Sequence, residues 1–379
     1  MIPCQRHLFD IPEDIAYFNC GYMSPLLTSA AEAGVKAIDK KSAPWSIPQT
    51  DFFDGSMTAR RLFAQLINAQ AKDIAIIPAA SYGLAVAAKN LKIQKGEEIL
   101  VLKDQFPSNI YCWQTLCSEN GGQVKVVEPP ENHDWTSAVI DQISERTVIA
   151  ALPHNLWTNG ALLDLELIGN HLRKFDAKLV LDVTQSLGAM PLDISKIKPD
   201  FLIDAAYKWL LGPYSIGFMY VAPHHQDGAP LEHNWINRHG SEDFSKLIDY
   251  QDGFQEGAIR FDMGQRANFT LMPMAITALN QILEWGVENI YETLSHKTRK
   301  IALIAEEFGL TCLPEQFRAG HFLGLNFNEP IPPSLLENLV KDKIYLSARG
   351  NSLRITPHLY NNENDISRLT ASLARQLAT

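Results

Sequence analysis

One lysine, Lys208, stands in the stretch AAYKWLLGPY at residues 205–214, among small, aromatic and aliphatic neighbours. An ammonium loses hydration in such company, so the amine either snorkels to solvent or is put to use. The same loss lowers a lysine's pKa and leaves more free amine, which is both a nucleophile and a base. Other reactive types fall just after apolar runs. Asp182 closes KLVLDV, with Gln185 three residues on; Phe106 follows EEILVL in DQFPSN; Trp157, Thr158 and Asn159 follow TVIAALP; Ser81, Tyr82 and Gly83 open a helical pattern after DIAIIPA. A carboxylate, an amide, an amine, an aromatic ring and a helix N-terminus suited to an anion are thus candidates for one site. Singly, each has a plainer reading: Asp182 and Ser81 as helix starts, Lys208 as a snorkelling lysine, Phe106 as a core residue at a turn. Their common placement is what those readings leave unexplained.

The elements that must position them are seven strand-length apolar runs between residues 73 and 222, starting at 73, 97, 123, 147, 178, 200 and 217. Most are continuous rather than alternating, which suits a sheet covered on both faces. Helical patterns between several of them predict an open, mostly parallel α/β sheet, whose ligands sit at the carboxyl ends of the strands. From 222 to about 268 the pattern turns polar and histidine-rich, yet Trp235, Phe254 and Phe261 argue for an ordered functional or interface segment. A long helical pattern over 271–309, short strand-like pieces HFLGLNF and SLRITP, and a closing helix predict a second, smaller α/β unit. The expected division is a large domain over 15–268 and a small one over 269–379 joined by the arm 1–14.

The 379 residues carry a net charge of −10 with no basic stripe, which argues against nucleic acid or an acidic membrane surface as partner. The longest apolar runs are strand-sized, and the opening MIPCQRHLFD lacks a signal-peptide layout. Five cysteines without a CxxC pair suggest a reduced, cytoplasmic protein. His224 and His225 have no carboxylate or cysteine at metal-ligand spacing in the chain, so they are read as loop residues and no metal is expected.

The stretch LVLDVTQSLGAMPLDISKIKPDFLIDAAYKWLLGPYSIGFMYV, residues 179–221, resembles the class V family of fold-type I pyridoxal-phosphate (PLP) enzymes, which holds cysteine desulfurases, kynureninases, isopenicillin-epimerase-like proteins and several aminotransferases. The likeness rests on Asp182, Gln185, Gly188, Pro191 with Asp193, Asp200 eight residues before Lys208, and the Gly-Pro after it. SLRITPHLYNNENDI, residues 352–366, is similar to the family's C-terminal arginine motif, and FPSNIYCW, LPHNLWTNG and FDMGQRANF extend the match more loosely. The resemblance implies a large seven-stranded sheet domain with a smaller C-terminal one, and a homodimer with shared sites. It implies that Lys208 forms the Schiff base with PLP, that Asp182 pairs with the pyridine nitrogen, and that Gln185 bonds at or near the ring oxygen. Phe106 would stack on the ring, as in kynureninase-like members. Ser81, Tyr82, Gly83 and Tyr207 would serve the phosphate, with Thr158 beside the cofactor and Gln265 near the position of a partner-donated threonine. Arg354 would grip the substrate carboxylate, with a surface pair to Glu363 or Asp365 as the alternative, and Asn19 and Tyr22 would line the substrate side. Ala205 departs from the serine that desulfurases carry.

Desulfurases place a mobile cysteine just before the C-terminal arginine; here that loop reads SARGNSLRI, without one. The expected activity is therefore an aminotransferase-type reaction on a small amino acid. The alternatives are a lyase performing β-elimination or kynureninase-like cleavage, and a non-catalytic binding protein on the same fold.

Overall fold

The computed structural model describes residues 1–377. After a short β1 (Ala16–Tyr17), the seven apolar runs become β2 (Ile74–Ile77), β3 (Glu98–Leu102), β4 (Gln123–Val127), β5 (Thr147–Pro153), β6 (Lys178–Asp182), β7 (Phe201–Ala205) and β8 (Gly217–Val221). They form one sheet in the order β2-β8-β7-β6-β5-β3-β4. The strands from β7 to β4 pair in parallel, and β8 alone runs against its neighbours. The cause is the link before it: residues 206–216 hold no helix to carry the chain back across the sheet, so β8 returns antiparallel. That link carries Lys208. Continuous apolar runs match continuous burial in β2, β3, β7 and β8, whereas the edge strand β4 is half-exposed.

Helices cover both faces of the sheet. On one side lie α1 (Thr28–Ser42), α2 (Asp54–Ile67), α5 (Trp135–Gln142), α6 (Leu165–Leu172) and the short α7 (Ile194–Ile197); on the other, α3 (Ala80–Asn90) and α4 (Ser108–Asn120). The helical pattern over 271–309 does not make one helix. Gly286 takes a φ of +75° and divides it into α8 (Leu271–Trp285) and α9 (Val287–Glu306). The break lets α8 pack against α1 and α2 while α9 turns away to the smaller unit.

That unit holds an antiparallel sheet of β9 (Leu323–Asn326), β11 (Ser347–Arg349) and β12 (Ser352–Ile355), with α10 (Leu335–Lys341), the short β10 (Ile344–Tyr345) and α11 (Glu363–Leu377). β1 joins it by pairing in parallel with β10, and Asn19 bridges to Thr356. The N-terminal segment therefore belongs to the small unit's core through Ala16 and Phe18 before it runs on toward the large sheet. No helix is long and apolar enough to cross a membrane among the described residues.

The polar segment over 222–268 has only short 3-10 turns, yet it is pinned. Asp262 is fully buried and accepts from the Ile76 backbone N–H at 2.7 Å, from Arg266 Nη1 at 2.8 Å, and from Arg60. Removing a carboxylate from such a cluster strands two buried guanidiniums. Asp262→Ala is expected to destabilise the fold by about 3–5 kcal/mol, measured by denaturant unfolding; a change near zero would show that the segment is held by something else.

Candidate functional site

At the carboxyl ends of the central strands lies a cavity of about 460 Å³. Asp182 reaches it from the end of β6, with Thr184 and Gln185 just beyond; Asn155 and Trp157 come from the loop after β5, and Phe106 from the loop after β3. Ala80 and Ser81 open α3 into it, and Tyr207, Lys208, Tyr214 and Ser215 enter from the β7–β8 link.

Lys208 is 6 % exposed, and its Nζ lies 5.5 Å from the Phe106 ring centre and 5.4 Å from that of Tyr207. Burial lowers its pKa to about 8; the attraction of Asp182 opposes the fall, and the charge of Arg354 adds to it. Asp182 is buried, and its Oδ1 accepts from the Thr184 N–H at 3.1 Å. A second carboxyl, Asp204, is driven well above the usual carboxylate range by full burial, reinforced by Asp182.

Arg354 does not line this cavity itself; it lies against the Trp157 ring of the wall and is tied to the cavity-lining Gln185 through Gly21. The Gly21 carbonyl accepts from Gln185 Nε2 at 3.0 Å and from Arg354 Nη2 at 2.9 Å, so one backbone oxygen orients two functional side chains. Gln185 is further fixed by Trp209 Nε1 donating to its Oε1 at 3.3 Å and by His321 Nε2 donating to its backbone carbonyl at 2.7 Å. Burial holds His321 neutral, with a pKa of about 4. Arg354 is buried, and its Nε has no partner among the described residues. The alternative of a surface ion pair fails, because Glu363 pairs with Lys300 and Asp365 with Arg6.

Some expected contributors lie elsewhere. Tyr82 turns its hydroxyl toward Glu232, and Gly83 packs against Ile77 and Ile203 of the sheet, so of the SYG triplet only Ser81 borders the cavity. Thr158 and Gln265 do not line the cavity, where Trp157 stands in place of Thr158. Tyr22 is 55 % exposed, and Asn19 is occupied at the rim, accepting from Ser347 Oγ at 3.0 Å. Gly21, Thr184 and Asn155 were not singled out from the sequence. Thr184 and Asn155 could have been found by reading every polar residue after a strand as a site candidate; Gly21 acts through its backbone and gives no such signal.

His224 and His225 do have an acidic partner, contrary to the expectation from spacing. The fold brings Asp200 Oδ1 to 3.0 Å and 2.7 Å from their Nε2 atoms, while Asp200 Oδ2 accepts from the Leu179 N–H. Antiparallel pairing of β7 with β8 sets Asp200 beside the residues that follow Val221, a proximity that linear spacing does not contain. The three donor atoms lie within 4.8 Å of one another, and the buried carboxylate is fully accounted for by its three hydrogen bonds.

The residues present fit PLP. A lysine with a lowered pKa faces a buried carboxylate across the cavity floor. The first turn of α3 has no side-chain cap; the Tyr82 and Gly83 N–H groups donate to the Ala79 carbonyl, which leaves those of Ala80 and Ser81 for a phosphate. Asn155 Oδ1 is buried without a partner at the cavity wall, and Phe106 meets Trp157 edge-on at 5.4 Å to form an aromatic side. Because free amine is the reacting form, capture of PLP by the apo-protein is expected to quicken as pH rises, reaching half its limit at about 8. Stopped-flow absorbance measures this; a midpoint at the ordinary lysine value of 10.5 would contradict the buried setting.

The geometry agrees with comparisons to known proteins. A family model for aminotransferase class V matches residues 48–369. YcbU, an uncharacterized aminotransferase of Bacillus subtilis, is 26% identical over 341 residues, covering 88% of this chain and 86% of that protein. A probable cysteine desulfurase of Methanothermobacter thermautotrophicus is 25% identical over 338 residues, 83% of this chain and 82% of its own. Among solved structures, a mutant of C-DES with glycine covalently linked to its PLP cofactor superposes with a TM-score of 0.88 at 20% identity, covering 98% of this chain and 99% of that one. That likeness shows the fold, the fold type I of PLP enzymes. On a match that spans most of its length, the chain belongs to the aminotransferase class V family, whose members are PLP-dependent enzymes.

Proposed function

We propose that this protein is a PLP-dependent aminotransferase acting on a small amino acid, with Lys208 as both anchor and base. The observation that carries the reading is the placement of Lys208: a buried amine in the cavity lining whose pKa burial lowers to about 8 against the pull of Asp182. Bound PLP supplies an electron sink for charge that develops at the substrate's Cα. Asp182 would hold a proton at the ring nitrogen and so deepen that sink. Arg354, aimed by the Gly21 carbonyl, takes the substrate carboxylate and so fixes which Cα bond faces the lysine. With PLP bound, the Lys208 amine would serve as the base for the substrate's Cα proton. Phe106 and Trp157 form an aromatic wall of the cavity.

A persulfide-forming desulfurase is disfavoured even though desulfurases are among the relatives. Cys312 packs against the core of the small unit. Cys20 is fully buried beside Lys208, its Sγ 3.8 Å from the lysine's carbonyl, and burial pushes its thiol up, away from the thiolate that sulfur transfer needs. The second reading, a lyase, draws on Phe106 and Tyr207, which both line the cavity. Product analysis separates the two. Turnover of an amino acid is expected to require an added keto acid and to release no ammonia; ammonia or a β-leaving group appearing without a keto acid would replace the aminotransferase reading with the lyase.

A further inference from the structure

Arg354 is not the sole guanidinium beside Trp157, a residue of the cavity wall. β11 and β12 pair antiparallel with Ser347 opposite Arg354 and Arg349 opposite Ser352. Alternate residues of a strand share a face, so Arg349 stands on the same face of the hairpin as Arg354. The Trp157 indole, part of the cavity wall, joins them: Cζ of Arg349 is 5.2 Å and Cζ of Arg354 is 5.8 Å from its ring centre. The ring itself is fixed by Nε1 donating to the Asp104 carbonyl at 2.7 Å. Ser347, on the same hairpin face, donates to Asn19 and holds the hairpin against the N-terminal segment.

Neither guanidinium has a counter-ion among the described residues: the ion pairs of acidic side chains go to other cations. Arg349 donates from Nη1 only to the carbonyl of Ala348, at 2.7 Å, and Arg354 only to Gly21. Burial lowers the Arg354 pKa to about 10, and the positive charge of Arg349 adds to the effect. Two like charges against one aromatic ring, one of them buried, favour a ligand that brings more than one negative charge. One α-carboxylate answers Arg354 and leaves Arg349 unmatched.

We propose that the substrate is an amino acid bearing a second carboxylate on its side chain, which Arg349 receives beside the Trp157 ring while Arg354 takes the α-carboxylate. This rests on the amino-acid-transforming reading above. The experiment is a titration of the PLP-loaded protein, followed by the visible absorbance of the bound cofactor, with aspartate and glutamate against asparagine, glutamine and alanine. The acids are expected to bind roughly tenfold or more tightly than their amides, as a charge-assisted bond to a guanidinium implies. In Arg349→Met the acid-to-amide ratio is expected to fall to about one. Equal affinity for acids and amides in the unaltered protein overturns the proposal and leaves the amino-acid reading standing, as does an Arg349→Met variant that keeps the preference. A loaded protein whose spectrum answers to none of these amino acids overturns both.

Discussion

Desolvation of the Lys208 amine is the constraint around which the structure is arranged. The amine is held where water cannot hydrate its charge, and the pull of Asp182 is the largest restraint on the fall of its pKa to about 8. Keeping it there requires the β7–β8 link to be irregular yet buried, a combination that leaves backbone groups in need of partners. The link meets this need locally. Ala206 pairs with Ile216 and Gly212, and Leu211 and Ser215 take positive φ to close the turn. It also rests on Gly188, at φ +94°, where a side chain would come within 2.6 Å of the Trp209 carbonyl. The glycine of the Asp-Gln-Gly stretch is therefore part of how the lysine is seated.

The second dependence is on a junction of three distant chain segments. The N-terminal segment pairs with the small unit through β1 and Asn19, then places Gly21 against the large sheet. Gln185 from the large sheet and Arg354 from the small unit both donate to that one carbonyl. Cofactor-side and substrate-side groups thus share a fixed point, and displacement of either unit moves Arg354 relative to Lys208. His321, from the turn before β9, adds a further tie to the backbone of Gln185. Its ring meets Trp209 edge-on at 4.5 Å, so the residue next to the lysine is braced by the small unit too.

The parts of this arrangement that were legible in the sequence are those carried by side-chain type at a strand end. Seven apolar runs gave seven strands because continuous burial needs continuous apolar residues, and Asp182, Gln185 and Lys208 follow directly from where those runs stop. Three other features depend on geometry that spacing does not encode. Helical rotation carries Tyr82 and Gly83 away from the cavity although they adjoin Ser81. Strand pairing brings Asp200 to His224 and His225 across a hairpin-like return. The role of Gly21 belongs to a carbonyl that every residue possesses, so its type announces nothing. The break at Gly286 was visible as a glycine within a helical pattern, but glycine is tolerated in helices, and the direction change comes from α8 and α9 having different partners.

Borohydride reduction of the PLP-loaded protein, followed by proteolysis and mass mapping of the reduced adduct, decides whether Lys208 is the anchor. The adduct is expected on the peptide that contains Lys208, in stoichiometric yield. A stable adduct on a different lysine, or none at all in a protein saturated with PLP, would contradict it.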